Sequence, residues 1–483
     1  MRKGSITIFF ALILSMIIVL ICASMESVKM MCARTQIANG ADVGMYSLFA
    51  QYDRYLLDTY GLFYVDASYG TDDLQMSRAY RTVERYMMPI LEQDHLDLSI
   101  ASGGITSFVL ATDQTGQPFR DQAVTYMRDA FGSQGVHFLV DKIRGDAAEI
   151  RRQEETGWML EAQDLMARYD EEMARAGNES AQAEIARQGE VLAETPGSPV
   201  VDPIDMIREI WGMGILDLVI ADQALLSDRE IDTGQLVSQR SLEEGMGALT
   251  PASVPDTAGE KVLFQEYMMQ NCGTYCNPSE AGGLRYQVEY SLGRTGSDRE
   301  NLERVASRLL AIRESDNFAL LCADPQKRAQ SAALAADIAS GSLIPPSVEA
   351  VEMALLCCWS FAESILDVKA LFDGGRVPLV KDPGSWDLPL ERLLDLLAEC
   401  AVERPQGGKG LDYEDYLRAL LFLGSEEDNV MGCMDMIEAD VRGQRGREGF
   451  RMDCCLEAME VGVDVGVGRE KIYTVIHRYG YDL

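Results

Sequence analysis

The hydrophobic pattern of the chain begins with its longest apolar segment, which predicts a membrane-spanning helix. Residues 6–23 include no charged residue, and Thr7 and Ser15 are polar interruptions. A helix of this length is about 27 Å long, close to the hydrocarbon thickness of a bilayer. Because Arg2 and Lys3 precede the segment, the positive-inside rule predicts a cytoplasmic amino terminus and an exported remainder.

This segment has two other interpretations. A cleaved secretory signal has an apolar region of about 7–15 residues that ends at small residues, whereas the region here is longer and leads into a helical pattern. A lipoprotein site at Cys22 would have the bulky Ile21 where a small residue is expected. We therefore expect an uncleaved anchor that contacts membrane lipid.

A stripe at helical spacing follows the apolar segment without a break. Its spacing predicts an amphipathic continuation of the membrane helix. Gly40 and Gly44 weaken this helix, at about 1 kcal/mol each relative to Ala. The stripe packs either on a like or partner subunit, or on the exported part of the same chain. It comprises Val28, Met31, Thr35, Ala38, Asp42, Met45, Phe49, Tyr52 and Leu56.

Beyond this helix the pattern predicts two short strands and then a helix. Leu96, Leu98 and Ile100 alternate with polar residues, which is typical of a half-buried strand, and this strand is expected to end at Gly103-Gly104. Residues 105–111 are a candidate second strand. Pro118 is expected to open the helix, because proline is tolerated in the first turn.

A strongly charged segment occupies residues 146–195. It contains 13 acidic and 5 basic residues, and Gly177-Asn178 interrupts it, which predicts two charged helices that form a projecting hairpin. The hairpin is either a partner-binding arm or a solvated insertion. Residues 195–199 contain two prolines and a glycine, which is typical of a linker at a domain boundary.

The first elements after the linker are a helix, a strand and a second helix. Pro203 precedes an apolar helix expected over 204–221. Residues 285–290 alternate like a strand. Ser297 and Glu300 have the spacing of a capping box, which predicts a helix that starts there.

The most apolar helix of the exported part follows Pro345-Pro346 and ends at Gly374-Gly375. Almost every face is apolar between Met353 and Phe361, so we expect a buried central helix.

The last elements are two helices and two strands. Helices are expected over 412–423 and 429–441. The clearest strand pattern runs from Met459 to Val467, and residues 471–477 are its expected partner, with Gly468 in the turn.

Together these elements predict an α+β fold that is predominantly helical, with short antiparallel strands. The expected organisation is linear. It comprises a cytoplasmic leader (1–5), a transmembrane helix (6–23), a membrane-proximal helix with a small α+β region (24–145), the charged hairpin or insertion (146–195) and a C-terminal α+β domain (196–483).

The charge of the chain excludes one class of partner. The chain contains 77 Asp and Glu residues against 43 Lys and Arg residues, a formal net charge of −34. Such an excess of acid repels phosphate backbones, so we expect no binding to nucleic acid. Because 47% of the residues are hydrophobic, the chain is long and apolar enough to fold rather than to stay disordered.

Catalytic and metal-binding motifs are absent from the sequence. No phosphate loop, no nucleophile elbow, no zinc-protease motif and no Ca²⁺ loop is present, and 3 histidines leave little material for a His-based metal site. Glu289 and Glu363 are candidates for acid–base chemistry. An ion pair with a buried Lys or Arg, or a capping role, is the simpler explanation for Glu363. We expect no catalytic residue, metal or cofactor.

The 11 cysteines lie mostly in apolar helical contexts, where cysteine acts as a small hydrophobe. Cys272 and Cys276 lie in a turn-like segment, and they are the local pair for which a disulfide is considered.

A basic leader that ends in Gly4, followed by Ser5 and an unbroken apolar helix, resembles the amino terminus of prepilin-like proteins. It is most similar to the TadE/TadG-type proteins of tight-adherence (Flp) pilus systems. The resemblance implies that a membrane-embedded prepilin peptidase cuts between Gly4 and Ser5. Pilins usually carry Glu at the fifth position after that Gly, where this chain has Phe9, which predicts a component outside the filament.

Five further stretches resemble an uncharacterised family of bacterial envelope proteins, known mainly from clostridia and their relatives, with the same kind of amino terminus. The resemblance implies a place in the cell envelope and no defined chemistry. The stretches are residues 53–63, 287–290 with 297–302, 361–368, 410–417 and 478–481.

We therefore expect a non-enzymatic, single-pass membrane protein with an extracytoplasmic C-terminal domain. The resemblance implies a minor pilin-like or assembly component of a Tad-type pilus or secretion apparatus, with other envelope or pilus-apparatus proteins as partners. The alternative is a membrane-tethered envelope enzyme or ligand-binding protein. A catalytic constellation would favour the alternative, whereas a neighbouring gene for a secretion ATPase would favour the pilus role.

Overall fold

The computed structural model describes residues 3–93, 96–187, 203–250, 254–255, 257–340, 346–395, 409–468 and 471–481. The predicted α+β, predominantly helical fold is confirmed. The chain forms two compact units, and each gathers separate stretches of sequence. The first contains 1–130, 234–256 and 437–483, and the second contains 131–233 and 257–436. The expected domain boundaries stay a prediction, and the proposed linker at 195–199 lies outside the described residues.

The first unit is a long helix packed with shorter helices and an antiparallel sheet. Strand β3 pairs with each of the other three strands. The elements are α1 (Lys3–Phe49), α2 (Arg54–Tyr60), β1 (Val65–Asp66), α3 (Met76–Leu91), β2 (Leu98–Leu110), the start of α4 (Asp113–Glu155), β3 (Cys455–Val467) and β4 (Lys471–Gly480).

Two strand predictions for this unit have different outcomes. The alternating strand at Met459–Val467 and its partner after Gly468 are confirmed as β3 and β4. The two short strands expected on either side of Gly103-Gly104 are wrong, because β2 runs through these glycines without a break. Gly104 lies opposite Gly462 of β3, so backbone pairing with β3 holds the glycines extended although their own preference is weak.

Helix α1 confirms that the helix of the apolar segment continues into the first unit without a break. The face that packs on the first unit differs from the predicted stripe, because Val28, Met31 and Asp42 are exposed. The observed face repeats every three and four residues and contacts α3 and the sheet. Its members are Ala33, Gln36, Ile37, Gly40, Ala41, Gly44, Met45, Leu48 and Phe49.

Gly40 and Gly44, which weaken α1 in isolation, allow this face to pack closely against α3. A Cβ on Gly44 would lie 2.8 Å from the backbone oxygen of Val83 in α3, and one on Gly40 would lie 3.2 Å from Cγ of Met87. The backbones of α1 and α3 therefore approach at a distance that only glycine allows. Close packing here outweighs the helix propensity that glycine loses.

We expect Gly44→Ala to destabilise the full-length protein by about 1–3 kcal/mol, because the new methyl group forces α1 away from Val83. Gly145 in α4 is the matched control, since nothing lies within 4 Å of a Cβ built there. Gly145→Ala should stabilise the protein by up to about 1 kcal/mol through helix propensity alone. Thermal unfolding in detergent measures both, and the same sign for the two variants would contradict the close-packing explanation.

The second unit is almost entirely helical, and its centre is a helix that is buried on nearly all sides. Its elements are the remainder of α4, α5 (Trp158–Arg187), α6 (Pro203–Trp211), α7 (Ile215–Val219), α8 (Ala258–Asn271), α9 (Gln287–Gly293), α10 (Asp298–Ala323), α11 (Pro325–Ser340), α12 (Val348–Phe372), α13 (Tyr413–Leu423) and α14 (Glu426–Arg442), whose last turns belong to the first unit.

Several helix predictions for this unit are confirmed. The buried central helix is α12, in which Val351–Phe372 are buried apart from half-buried Met353. Asp412 caps α13 by accepting a hydrogen bond from the backbone of Asp415, and the helix expected over 429–441 lies within α14. Strong local start signals explain these successes.

The charged hairpin is placed wrongly by the sequence pattern. Pro118 lies inside α4, which continues to Glu155, and the chain turns at Gly157, where φ is 65°. Gly177-Asn178 lie within α5. Because Trp158 and Met166 of α5 are buried, this part of the segment packs in the second unit rather than projecting from it.

Three further elements differ from their predictions. The helix expected over 204–221 is broken into α6 and α7 at the glycines Gly212 and Gly214. Residues 285–290 are expected to form a strand, but Gln287 and the three residues after it form the start of α9. All four of these residues are buried. Ser297 precedes α10 at the N-cap position but makes no side-chain capping bond.

Candidate functional site

Helix α1 is the candidate membrane-spanning element among the described residues. Its first half exposes apolar side chains, with Phe9 60% exposed, and the Ser15 hydroxyl donates to the backbone oxygen of Leu12 at 2.8 Å, as a polar group in lipid requires. Gly4 and Ser5 lie in the first turn of the helix. These features support a single-pass membrane protein.

A buried cluster of charged side chains lies in the second unit, and we call it the Lys381 cluster. Glu363 and Asp367 are four residues apart on α12, so their side chains share one face of the helix. The Lys381 ammonium donates to Oε1 of Glu363 and lies 2.7 Å from Oδ1 of Asp367. The prediction that Glu363 pairs with a buried Lys or Arg is confirmed.

Arg313 and Asp316 of α10 complete the Lys381 cluster. Arg313 is fully buried, and its guanidinium donates to Asp367 at 3.2 Å and to Asp316 at 3.1 Å. Asp316 also accepts the backbone N–H of Lys381 at 2.9 Å. The cluster therefore ties α10, α12 and the segment after α12 together.

The protonation of each carboxylate depends on how many Lys and Arg side chains lie beside it. Burial favours the neutral form of Asp367, but Lys381 and Arg313 together outweigh burial and hold the pKa of Asp367 below its ordinary value. Burial raises the pKa of Glu363, which receives Lys381 alone. Burial also opposes the charge of Lys381, yet the two carboxylates raise the pKa of its ammonium. Asp367 and Lys381 thus form a charged pair at neutral pH.

An open cleft of about 580 Å³ lies beside the Lys381 cluster, and Asp387 and Lys409 belong to its lining. Carboxylate oxygens of Glu363, Asp367 and Asp387 lie within 4.8 Å of one another, as a metal ion would require. The Lys381 ammonium already bonds two of these three groups. The Lys381 ammonium thus lies where a metal ion would have to bind, which favours a structural role for the carboxylates.

Glu289, the other candidate for acid–base chemistry, is fully buried in α9. Its Oε1 accepts hydrogen bonds of 2.8 Å from the Tyr275 backbone and from the Tyr413 hydroxyl, and its Oε2 has no hydrogen-bond partner among the described residues. Burial raises the pKa of Glu289 to about 7, against these two hydrogen bonds. Its enclosure favours a role in joining α9 to α13 over contact with a substrate.

The cysteine pair predicted from the sequence is not bridged in this structure. Cys272 ends α8 and is buried, Cys276 is exposed, and both are free thiols. Sγ of Cys272 lies 3.8 Å from Sγ of Cys433 in α14 instead. Of the histidines, His477 Nε2 lies 2.8 Å from Oδ1 of Asp42, and His95 lies outside the described residues.

The sequence patterns missed most members of the Lys381 cluster. The only signal was the pair of acidic residues four positions apart in the apolar helix α12. Lys381 follows α12 in an irregular segment, and Arg313 lies in a helix with charged residues on several faces. Neither residue carries a local pattern that marks it as buried.

Comparison with known proteins identifies a family whose function is unknown. The model of the family of unknown function DUF5702 matches residues 194–467, which is more than half of the chain. No curated protein matches the chain, and neither does any solved structure. The chain therefore belongs to the DUF5702 family.

Proposed function

We propose that this member of the DUF5702 family is a non-enzymatic, single-pass envelope protein whose C-terminal domain lies outside the membrane. Its role is that of a minor pilin-like subunit or assembly component of a Tad-type pilus or secretion apparatus. One observation carries the proposal. A single helix, α1, begins in the apolar segment and ends in the core of the first unit.

The continuity of α1 supports a mechanical rather than a catalytic role. A helix of 47 residues is about 70 Å long. Its apolar first half is exposed, while Met45 and Phe49 at its end are buried. Because no flexible linker separates the two halves, a force or a rotation at the membrane end is transmitted directly to the first unit.

A contact near the end of the apolar segment supports the same arrangement. Lys471 at the start of β4 donates to Glu26 of α1, and Glu26 lies three residues beyond Ala23. This pair holds β4 close to the membrane boundary. The basic residues Arg2 and Lys3 on the other side of the apolar segment favour a cytoplasmic amino terminus.

The link to a pilus apparatus rests on the resemblance of the amino terminus. Gly4 and Ser5 stand where prepilin-type peptidases cut, at the cytoplasmic end of an apolar helix. Phe9 replaces the Glu that pilins usually carry. A carboxylate in lipid is costly and needs a partner, so Phe stabilises residence in the bilayer and removes a signal for entry into the filament.

Processing and topology give the decisive test. We expect a reporter fused after Leu483 to be active outside the membrane, and the amino-terminal peptide from the native host to begin at Ser5 by mass spectrometry. Gly4→Ala is the matched variant and should block the cut. The variant should therefore keep residues 1–4 and fractionate with membranes as the unaltered protein does. Recovery of a soluble, secreted chain that lacks residues 1–23 would overturn the anchor.

The pilus role has its own readout. Sheared pili from the native host should contain little of this protein relative to the major pilin, and cross-linking in membranes should connect it to components of the apparatus. Amounts that rival the major pilin along the filament would show that the accessory role is wrong.

The alternative function, a membrane-tethered ligand-binding protein, is favoured by the open clefts of the second unit. Clefts of a few hundred Å³ with a small number of converging polar groups are typical of small-molecule sites. The cleft beside the Lys381 cluster meets this description in size. A thermal-shift screen that finds stabilising compounds would support this alternative.

A further inference from the structure

The second unit contains an apolar cleft of about 440 Å³, and α10 supplies part of its lining. Ile215 and Leu218 of α7 line it and are buried. Trp211 and Phe361 also line it, with ring centroids 5.2 Å apart in an edge-to-face arrangement. A cleft of this size, with aromatic and aliphatic walls, accommodates a small organic molecule.

One buried carboxyl group, that of Glu314, interrupts the apolar lining. Glu314 of α10 is 9% exposed, and no described residue pairs with its carboxyl or donates a hydrogen bond to it. The Ser360 hydroxyl donates to its backbone oxygen at 2.9 Å, which holds this turn of α10 against α12. Burial is the cause that raises the pKa of Glu314 to about 8. Without a ligand this carboxyl group avoids an unpaired buried charge by keeping its proton, and a bound cation would stabilise its ionised form.

The charged residues around the cleft indicate the sign of the charge that a ligand should carry. The described lining includes a second acid, Glu303, and no Lys or Arg. Glu161 on α5 is a further exposed acid, and Asp217 on α7 is an acid that pairs with Arg299 at 3.6 Å. On α12 the buried Cys357 thiol has a pKa raised by burial, so it stays neutral. The field at Glu314 thus favours cations and repels anions.

We propose that this cleft binds an organic cation with a short aliphatic chain, whose ammonium group pairs with Glu314 while the chain lies against Trp211 and Phe361. The ammonium compensates the buried carboxylate, the aromatic rings add cation–π attraction, and the chain covers apolar surface. This inference concerns the second unit alone and goes beyond the proposed pilus-apparatus role.

Hexylammonium is the probe, with hexanol and hexanoate as the neutral and anionic molecules of matched chain length. Calorimetry on the full-length protein in nanodiscs, with empty nanodiscs subtracted, should show hexylammonium binding at least about tenfold more tightly than hexanol, and hexanoate not binding. Equal binding of hexanol, or tighter binding of hexanoate, would overturn the proposal.

Two variants locate the site. Glu314→Gln should weaken hexylammonium binding at least about tenfold, because it removes the buried charge and keeps the shape. Glu303→Gln at the exposed rim should change it by less than about twofold. Since Glu314 must lose its proton to pair, the affinity of the unaltered protein should rise about tenfold from pH 6 to pH 7, and that of Glu314→Gln should not. An unchanged affinity in Glu314→Gln would place the site elsewhere and end the proposal.

Discussion

Replacement of Lys381 by Met is expected to lower the free energy of unfolding of the full-length protein by about 3–5 kcal/mol. The ammonium is buried, and it bonds both Glu363 and Asp367. Its removal leaves Glu363 without a cation and Asp367 with Arg313 alone. Glu363 would keep only the backbone N–H groups of Asp387 and Leu388. A buried carboxylate without a cation is far more costly than the loss of one packing contact, because the protein interior cannot replace water around the charge.

The measurement is denaturant unfolding followed by tryptophan fluorescence, since the Lys381 ammonium lies 5.6 Å from the ring centroid of Trp386. Lys409→Met is the matched control, because Lys409 lines the same cleft but is exposed, and its effect should stay within about 0.5 kcal/mol. Adding Glu363→Gln to Lys381→Met should recover part of the loss by removing one uncompensated charge. Equal stability of the Lys381 and Lys409 variants would show that the Lys381 cluster does not hold α10 and α12 together.

The free energy of unfolding should fall as the pH rises from 5 to 9. Salt-bridged carboxylates have the opposite effect, because they lower stability as the pH falls. Burial raises the pKa of Glu314 from the ordinary value of 4.5 to about 8, and that of Glu289 to about 7. The folded state therefore holds these protons more tightly than the unfolded state does. Their contribution is fully present below pH 4.5 and is lost as the pH passes through the folded-state values.

For Glu314 alone, the loss between pH 5 and pH 9 is on the order of 4 kcal/mol, because one pKa unit corresponds to about 1.4 kcal/mol. Glu314→Gln should match the unaltered protein at pH 5 and exceed its melting temperature at pH 9. Glu303→Gln at the rim of the same cleft should keep the original pH dependence. A melting temperature of the unaltered protein that is level or rising from pH 5 to pH 9, and unchanged in Glu314→Gln, would contradict the burial of an unpaired carboxyl group.

The sequence by itself determined the helices and strands that a local sequence pattern specifies. The apolar residues 6–23 specify the first half of α1, since lipid and helix geometry leave no other structure for such a segment. Asp412 marks the start of α13 through its own capping bond. The alternation from Met459 to Val467 specifies a strand, because each apolar residue must reach the same side of the sheet.

The tertiary structure decided the features in which a local preference yields to a distant partner. Gly44 lowers helix propensity but is required by the backbone of α3, and the glycines of β2 stay extended because β3 pairs with them. Residues 285–290 alternate in polarity, yet Glu289 is buried beside Tyr413 in α13 rather than in a sheet.

The charged sites follow the same rule. Arg313 and Glu314 are neighbours in sequence, but one faces the Lys381 cluster and the other an apolar cleft. Residue type and spacing do not distinguish them. Arg313 pairs with Asp367 of α12, more than 50 residues away, whereas Glu314 receives no such partner and burial alone raises its pKa. Burial and long-range pairing, which only the folded chain supplies, therefore decide the chemistry of this protein.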